Sequence, residues 1–394
     1  MSYESVDLEM PAFQAGATVG DFTLETVMGT GAFAKVWRVV RNDTKYALKF
    51  YTTDDDYSDL PERELLSYGL VGEHANIVNM LESVEYPYEG KSCKALLLPC
   101  AQGDLQQFLK ARGAMPLQTS NDALLQVTAA VDHLHKRNLA HGDIKPENIL
   151  VFLSEGSWTL KLTDFDGLLR FDDNAKTNDD CRVTSEYQAP EFILSGEYTP
   201  ASDIWALGCL YYELRTDQTL FALEEENDSD DDEEDDEDDE DDEDEDELQS
   251  NVVHNDEEEN DSEMKSNDSS EDDDYDEDEI ELLALMVDIL GPLPKYYSRK
   301  HPDILTPRGY VRQIRSHRTD LSKLLQESDL SRRDAFKAAS IIRPMLAYIP
   351  SRRPKPADIL THRSLKGYFT NAVDRDQKMS EGMSSSRTTS HKKL

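Results

Sequence analysis

The residues best suited to chemistry lie in one short stretch, HGDIKPENIL at residues 141–150. Asp143 is followed two and five residues later by Lys145 and Asn148. A carboxylate can accept or orient a hydroxyl proton, an ammonium can stabilise a phosphoryl group in transfer, and an amide oxygen can bind Mg²⁺. The spacing therefore predicts a phosphoryl-transfer loop in which Asp143, Lys145 and Asn148 are the catalytic residues.

A second acidic motif, KLTDFDG at residues 161–167, supplies another group that this chemistry requires. Asp164 in this motif would hold Mg²⁺ together with Asn148, and these two residues form the predicted metal site. A loop that only connects two elements has no need for this whole set in this order. The two motifs together favour phosphate transfer over a structural turn.

A glycine-containing stretch closer to the N-terminus, GTGAFAKV at residues 29–36, lies between two strand-like runs. Gly29 and Gly31 would let backbone amides approach phosphate groups without obstruction by side chains. Two glycines in a hairpin are more often just a turn, so this motif alone does not predict a nucleotide site.

A lysine follows on the next strand-like run, where YALK places Lys49. Its ammonium could hold the α and β phosphates of ATP if a carboxylate fixed its position. The helix that begins PERELL offers Glu64 for this purpose, with Glu62 as the second choice. A lysine on a strand and a glutamate on a helix are also common as solvated surface charges, so the pair is only suggestive.

These groups must be positioned by regular structure, and the sequence predicts a small β-rich lobe followed by a larger α-rich lobe. β-Branched and aromatic runs dominate up to Pro99, interrupted by one helix over residues 60–71, and helical periodicity dominates after Asp104. A helix is expected to open on a capping Ser120. The predicted organisation is a flexible leader at 1–20, a first lobe at 21–100, a second lobe at 101–223 and 280–372, an acidic disordered insertion at 224–279, and a flexible tail at 373–394.

The charge of the chain is concentrated in that insertion. The formal net charge is −41, and residues 224–279 hold 37 of the 82 acidic residues and a single base, Lys265. Such a run repels itself and cannot bury apolar surface, so it is expected to be disordered, and an amphipathic helix resumes at Glu279. A negative chain without a clear basic stripe argues against direct nucleic-acid binding.

The remaining composition predicts a soluble intracellular protein. The four cysteines have no metal-site spacing, the N-terminus has no signal-peptide pattern, and no stretch approaches the roughly 18 apolar residues of a membrane span. We therefore expect a protein of the cytoplasm, the nucleus or both, without membrane attachment and acting as a monomer.

Further motifs complete an ordered set: APE at 189–191, SDIWALG at 202–208 and SRRPKPADIL at 351–360. With these, the chain resembles the eukaryotic protein kinases over roughly residues 22–368. The resemblance implies an α+β bilobal fold, ATP and Mg²⁺ as cofactors, and protein substrates. The implied nucleotide-binding residues, including a gatekeeper Leu98 and the hinge after it, are Gly29, Thr30, Gly31, Val36, Ala47, Lys49, Glu64, Leu98, Pro99, Ala101 and Asp164.

The same resemblance assigns roles to residues around the loop. Asp203 would anchor its backbone from a buried helix, and Arg353 would pair with Glu191 to brace the activation segment. Lys145 and Thr184 follow the pattern of Ser/Thr kinases, and Thr184 would hydrogen-bond the region of Asp143 and Lys145. Serine and threonine hydroxyls are therefore the expected acceptors.

Gly142 stands where many kinases have an arginine that clamps a phosphorylated activation loop. Its presence implies an activation segment held by other contacts, or an enzyme that is always on. HGDIKPENIL is similar to the HTDIKPENIL typical of the SR-protein kinases, in the group that also contains cyclin-dependent and cdc2-like kinases. That resemblance implies basic, Arg/Ser-rich protein substrates.

Three positions depart from the family pattern: Asp166 replaces a glycine, Gln188 replaces an arginine, and Ala34 replaces the third loop glycine. The acidic insertion either attracts basic substrates or is a solvated spacer. Two alternatives to an SR-type kinase stay open. One is a kinase-shaped scaffold that binds basic proteins without catalysis, and the other is a related kinase with a different substrate.

Overall fold

The structure is a computed structural model and describes residues 10–155, 157–171, 183–223, 275–328 and 330–366. Its strands are β1 (Thr18–Val19), β2 (Phe22–Thr30), β3 (Ala34–Arg41), β4 (Thr44–Tyr51), β5 (Glu82–Tyr88), β6 (Lys91–Pro99), β7 (Gly103–Asp104), β8 (Leu139–Ala140), β9 (Ile149–Ser154), β10 (Ser157–Leu162) and β11 (Leu169–Arg170). Its α-helices are α1 (Leu60–Val71), α2 (Leu105–Arg112), α3 (Leu117–His135), α4 (Pro190–Ser195), α5 (Pro200–Thr216), α6 (Glu277–Leu290), α7 (Lys295–Lys300), α8 (Leu321–Glu327), α9 (Arg332–Met345) and α10 (Pro356–Leu360). Short 3-10 helices cover Asp55–Tyr57, Pro146–Asn148, Ser185–Tyr187, Pro350–Arg352 and Arg363–Leu365.

The N-terminal lobe is an antiparallel sheet in the order β1-β2-β3-β4-β6-β5, with α1 packed against it. Aromatic and branched side chains alternate along these strands, and one face forms a core that includes Trp37, Leu48, Phe50 and Leu97. Helix α1 spans the predicted residues. The β-rich first lobe and the α-rich second lobe are both present, so the predicted α+β bilobal fold is confirmed.

The prediction of a flexible leader at 1–20 is wrong for residues 10–20. Phe13 lies against Phe50 with ring centroids 4.9 Å apart, and it also contacts Tyr86 and Tyr88. Val19 is buried and pairs with Phe22. A single aromatic residue without periodicity gives no local signal, and the packing partners of Phe13 lie tens of residues away, so the sequence alone does not predict this packing. Residues 1–9 lie outside the described residues.

The C-terminal lobe is built around α5, whose residues from Ser202 to Thr216 are all buried. A helix that is buried on all sides requires neighbours on all sides, and α3, α8 and α9 supply many of them. The expected N-cap at Ser120 is wrong, because α3 begins at Leu117 after Pro116. The Ser120 hydroxyl instead donates to the carbonyl of Pro116 within the first turn.

Helix α6 begins at Glu277, two residues before the expected position. Asp276 accepts from the amide of Asp278 and forms a reciprocal capping box with Glu279. Acidic residues in the first turn also interact favourably with the positive end of the helix dipole. The last acidic residues of the run thus belong to the folded lobe.

The described residues up to Leu223 and from Asp276 onward, on the two sides of the acidic segment, belong to one compact unit. The predicted disorder at 224–274, and the predicted tail at 373–394, lie outside the described residues. Among the helices that the structure describes, none has the length and apolar character to cross a membrane.

Candidate active site

The loop that carries Asp143 is anchored from below by one buried carboxylate, that of Asp203 on α5. Asp203 accepts hydrogen bonds from the backbone amides of His141, at 3.0 Å, and Gly142, at 3.3 Å. His135 and Tyr198 bond the same carboxylate. Burial raises the pKa of Asp203, but the hydrogen bond and charge of His135 outweigh it, so the pKa is lowered and the group stays ionised. The expected anchoring contact of Asp203 is confirmed.

Asp143 is held on both of its oxygens. Its Oδ2 accepts from Asn148 Nδ2 at 2.8 Å and lies 2.9 Å from Lys145 Nζ. Its Oδ1 accepts from the hydroxyl of Thr184 at 2.7 Å and from the Thr184 amide at 3.2 Å. Lys145 also donates to the Thr184 hydroxyl at 2.6 Å, so the expected contact of Thr184 is confirmed. A carboxylate fixed in this way can orient an incoming hydroxyl group.

The two predicted metal ligands fit a hard divalent cation. Within the described part of the chain, the side chain of Asn148 forms hydrogen bonds only through its nitrogen. Its Nδ2 donates to the backbone carbonyl and to the carboxylate of Asp143. Its Oδ1 makes no hydrogen bond within the described part of the chain, so this oxygen is available to a cation. Asp164 is bonded by Lys49 through Oδ1, which leaves Oδ2 for a second ligand bond. Amide and carboxylate oxygens are the donors that Mg²⁺ prefers.

Lys49 forms two ion pairs, one within the N-terminal lobe and one to the C-terminal lobe. Its Nζ lies 2.6 Å from Glu64 Oε2 on α1 and 2.6 Å from Asp164 Oδ1. Burial lowers the pKa of Lys49, but the carboxylates of Asp164 and Glu64 outweigh it and raise the pKa well above the usual value. The lysine is therefore cationic and fixed in place, as a phosphate-binding group must be.

The pairing of Lys49 with Glu64 is confirmed over the second choice. Glu64 is fully buried and also accepts from the Tyr51 hydroxyl at 2.6 Å. Glu62 lies on the outer side of the helix and pairs with Lys94 at 2.8 Å. Side chains two positions apart on a helix point about 200° away from each other, so only one of the two glutamates can face the sheet.

Aromatic packing that sequence analysis did not identify fixes the position of Asp164. Phe165 is fully buried, and its ring contacts Tyr68 and His141 edge to face with centroids 5.3 Å away in each case. Tyr68 lies one helical turn after Glu64. This stack therefore ties α1 to the catalytic loop through the residue that follows Asp164. The sequence feature that could have indicated this packing is the i, i+4 spacing of Glu64 and Tyr68, which puts both residues on one face of α1.

The other predicted nucleotide-binding residues lie on facing strands next to Lys49. In the register of the sheet, Gly29 faces Val36, Val36 faces Lys49 and Ala47 faces Leu98. Thr30 faces Lys35, and the Gly31 amide donates to the carbonyl of Ala34 at 2.8 Å, which closes the loop. Ala47, Leu98 and Ala101 are buried, and Pro99 ends β6. The strand residues among them thus lie on neighbouring strands of one sheet, next to Lys49.

A pocket beside the catalytic loop was not predicted. It has a volume of about 250 Å³, and three of its lining residues are acidic: Glu147, Glu186 and Glu213. Lys145 and Thr184 line the same pocket. Burial raises the pKa of Glu213 to about 7, and the Tyr187 hydroxyl donates to its carboxylate. Glu147 lies inside the HGDIKPENIL motif, which was the one local signal for it.

The activation segment, residues 164–191, is braced at its far end by a buried ion pair. Arg353 donates to both oxygens of Glu191 at 2.6 Å, and Ser202 donates to the same carboxylate at 2.8 Å. The expected pair is confirmed. Gln188, which replaces the family's arginine, donates weakly to the Val183 carbonyl at 3.4 Å.

Comparison with known proteins identifies the class. A sequence model described as "Protein kinase domain" matches residues 22–365. The chain belongs to the protein kinase family.

Several curated relatives are similar to part of the chain. Aurora kinase of Saccharomyces cerevisiae is 30% identical over 55% of this chain and 58% of its own length. MAP kinase-activated protein kinase 2 of Drosophila melanogaster is 33% identical over 48% of this chain and 53% of its own. Cyclin-dependent kinase 4 homolog of Caenorhabditis elegans is 31% identical over 54% of each. The chain spans about half the length of the curated relatives it matches.

Proposed function

We propose that this chain is a protein serine/threonine kinase that transfers the γ-phosphoryl group of ATP to hydroxyl groups of protein substrates. The observation that carries the proposal is the simultaneous formation of two networks. Lys49 bridges Glu64 and Asp164, while Asp143 is held by Lys145 and Thr184. A protein that no longer catalysed transfer would have no need to keep both.

The proposed reaction assigns one task to each group. The acceptor oxygen bonds to the γ-phosphorus while the bond from that phosphorus to the β,γ-bridging oxygen breaks, which releases ADP. Asp143 orients the acceptor hydroxyl and takes its proton, and Lys145 stabilises the charge on the transferring group. Lys49 holds the α and β phosphates in the cleft under the glycine-containing loop.

A divalent cation, proposed to be Mg²⁺, would be held by Asn148 and Asp164. When bound, such an ion neutralises charge on the phosphates and aligns them. The protein orients the two ligand oxygens. Asp143 fixes the orientation of the Asn148 amide, and Lys49 fixes the orientation of the Asp164 carboxylate.

The proposed substrates are basic, Arg/Ser-rich proteins. The pocket lined by Glu147, Glu186 and Glu213 supports this proposal, because it lies directly beside Lys145 and would attract a guanidinium group near the acceptor. The acidic insertion would add a longer-range attraction that salt screens. A related kinase with another basic substrate class is the alternative within the same chemistry.

We also propose a monomer of the cytoplasm or nucleus that acts on proteins and has no direct contact with nucleic acids or membranes. These statements rest on the charge and composition of the sequence. Gel filtration combined with light scattering would test the monomer, and a filter-binding assay with RNA and DNA at low salt would test the exclusion of nucleic acids.

The proposed function is tested by phosphate transfer from ATP and Mg²⁺ to an Arg/Ser repeat peptide. An Arg/Ala peptide lacks the acceptor, and a Ser peptide with Gln in place of each Arg lacks the charge. We expect transfer to the Arg/Ser peptide alone at low peptide concentration, and loss of transfer in Asp143→Ala. Asp303→Ala, on an exposed loop, is the matched control.

Equal rates on the Arg and Gln peptides would reject the basic substrate class and leave the kinase activity standing. If wild-type protein and Asp143→Ala were equally silent on every peptide while both bound ATP, catalysis itself would be rejected. The chain would then be a nucleotide-binding scaffold, and capture of basic proteins at low salt would be its remaining function.

A further inference from the structure

A buried tyrosine, Tyr51, is the last residue of β4 and lies between the sheet and α1. Tyr51 follows Lys49 by two positions, and side chains two positions apart on a strand lie on the same face of the sheet. Both side chains bond Glu64 on α1. The motif YALK, which predicted Lys49, ends two residues before Tyr51 and gives it no role.

The Glu64 carboxylate is completely buried, so its charge depends on hydrogen-bond donors of the protein. Burial raises the pKa of Glu64, which means that the charged form is costly at this position. Lys49 Nζ and the Tyr51 hydroxyl both donate to Oε2, each at 2.6 Å. Within the described part of the chain, Oε1 has no hydrogen-bond partner. Tyr51 is therefore one of the two side chains that hold this carboxylate.

The Tyr51 side chain is suited to act as a fixed donor. Burial and the nearby Glu64 carboxylate raise the pKa of Tyr51 well above its usual value, so the phenol stays protonated. A phenol has one proton to donate, and Tyr51 donates it to Glu64. Lys49 Nζ lies 5.4 Å from the centroid of the Tyr51 ring, within range of a cation–π attraction. Tyr51 thus contacts both members of the Lys49–Glu64 pair.

The backbone at Tyr51 holds the glycine-containing loop. Tyr51 pairs with Ala34 in the antiparallel ladder of β3 and β4. The amide of the next residue, Thr52, donates to the carbonyl of Phe33 at 2.9 Å. Phe33 and Ala34 both belong to the GTGAFAKV stretch. The end of β4 therefore contacts the loop through its backbone and α1 through the Tyr51 side chain.

The ion pair with Lys49 does not by itself fix α1. Lys49 is shared, because Asp164 Oδ1 lies at the same distance of 2.6 Å from its Nζ as Glu64 Oε2 does. If α1 moved outward, the ammonium could keep its bond to Asp164 and release Glu64. The Tyr51 hydroxyl adds a second bond from the same strand, so Glu64 must break two charge-assisted hydrogen bonds to leave.

We propose that Tyr51 is a positioning residue for phosphoryl transfer, whose hydroxyl keeps Glu64, and therefore α1, in the place where Glu64 orients Lys49 for the phosphates of ATP. The inference rests on the proposed kinase activity but not on the substrate class. Tyr51 acts through Glu64, and its hydroxyl takes no part in the chemical step. Removal of that single oxygen therefore tests the inference.

The test uses Tyr51→Phe, which removes the hydroxyl and keeps the ring. The matched control is Tyr86→Phe, because Tyr86 is also buried in the N-terminal sheet and packs its ring against Phe13 and Phe50. Glu64→Met removes the carboxylate, and the double variant with Tyr51→Phe completes a double-mutant cycle. Circular dichroism and thermal unfolding establish that each variant is folded.

Rates are measured with Arg-containing and Gln-containing Ser peptides, so that rejection of the basic substrate class leaves the test intact. Because the lost hydrogen bond is made to a charged group, we expect kcat/KM for ATP to fall about tenfold in Tyr51→Phe. KM for the peptide should stay within about twofold, since the change acts on the nucleotide side. Tyr86→Phe should match wild type within about twofold.

The cycle separates positioning of Glu64 from a general structural role. Glu64→Met alone should lower kcat/KM for ATP by about a hundredfold. Addition of Tyr51→Phe to Glu64→Met should then change kcat/KM by less than about twofold, because the hydroxyl has lost the group it holds. A structural role would give the same loss in both backgrounds.

Three results would overturn the inference. The first is a kcat/KM for ATP in Tyr51→Phe that equals that of the wild type. The second is an equal loss when Tyr51→Phe is added to the wild type and to Glu64→Met. The third is a loss in Tyr86→Phe as large as that in Tyr51→Phe, which would show that any buried phenol of this sheet has the same effect.

Failure of the proposed kinase activity would give a different result. If the wild type transferred phosphate to neither peptide, the same cycle would be measured on the affinity for ATP with Mg²⁺, by competition against a fluorescent nucleotide. A weaker affinity in Tyr51→Phe that disappears in the Glu64→Met background would support the positioning of Glu64 by Tyr51. An affinity unchanged by Tyr51→Phe would refute it. This assay also covers any variant whose rate of transfer is too low to measure.

Discussion

The ionisation of Glu213 allows a prediction that links substrate binding to stability. Burial raises the pKa of this carboxyl from 4.5 to about 7. At 1.36 kcal/mol per pKa unit, ionising Glu213 costs the folded protein about 3 kcal/mol more than it costs the unfolded chain. A raised carboxyl pKa contributes stability that is fully present below pH 4.5, falls as the pH rises towards 7, and is constant at higher pH.

The perturbation is Glu213→Gln, which keeps an oxygen for the Tyr187 hydroxyl but cannot ionise. Between pH 5 and pH 8, the wild type should lose about 2.5 kcal/mol of unfolding free energy relative to this variant. The stability difference should change most steeply between pH 5 and pH 7, where the unfolded carboxyl is ionised while the native one is still protonated, and it should level off above pH 7. Urea unfolding at each pH, with the difference between the two proteins plotted against pH, isolates Glu213 from all other titrating groups.

Peptide binding should change in the opposite sense. As the pH rises through 7, Glu213 becomes charged and the pocket with Glu147 and Glu186 attracts a basic side chain more strongly. We expect KM for an Arg-containing peptide to be severalfold lower at pH 8 than at pH 6 in the wild type, and the change to be smaller in Glu213→Gln. KM for a Gln-containing peptide is the control for general pH effects.

The reasoning would be refuted by a stability difference between wild type and Glu213→Gln that stays constant within about 0.5 kcal/mol from pH 5 to pH 8. That result would mean that the carboxyl titrates near its ordinary value and is solvated in the folded protein. The stability difference could change with pH as expected while KM for the Arg-containing peptide does not depend on pH. That result would reject only the role of Glu213 in substrate binding.

Two further predictions concern the buried ion pairs. Arg353→Met leaves Glu191 charged and unpaired in the core, so urea unfolding should show a loss of about 3–5 kcal/mol, whereas Arg352→Met on the surface should change stability by less than about 0.5 kcal/mol. Equal effects of the two changes would exclude the bracing role. Lys49→Met should lower kcat/KM for ATP by about a hundredfold, because the phosphates lose their fixed cation. Lys94→Met, which breaks only the outer pair with Glu62, should leave kcat/KM unchanged, and a similar loss in both variants would contradict the assignment.

Motifs with fixed spacing predicted most of the site. Asp143, Lys145 and Asn148 lie within six consecutive residues, and such a short loop holds its members together in any fold. Lys49 and Glu64 were harder to pair, because the choice between Glu64 and Glu62 depends on which side of α1 faces the sheet. Burial decides this choice, and in the sequence the two glutamates have similar neighbours.

The errors arose where a local pattern had to stand for a distant contact. Ser120 resembled a helix cap, but the chain turns at Pro116 and the helix starts one turn earlier. Residues 10–20 contain no periodic pattern, and Phe13 is ordered by aromatic residues on β4 and β5. In each case the deciding energy comes from packing between elements, which periodicity does not encode.

The sequence by itself determined the class of fold, the order of the motifs and the types of groups available for phosphoryl transfer, because these follow from residue identity and short spacing. It also marked Gly142 as a position without the usual arginine. Only the tertiary structure decided which residues pack next to Gly142 and the beginning of the activation segment. Phe171, Val183 and Tyr198 are far apart in the chain, and they form one cluster because the two ends of the activation segment fold back against β8. The acidic pocket has the same origin, since Glu147 and Glu213 are brought together by the packing of the catalytic loop against α5.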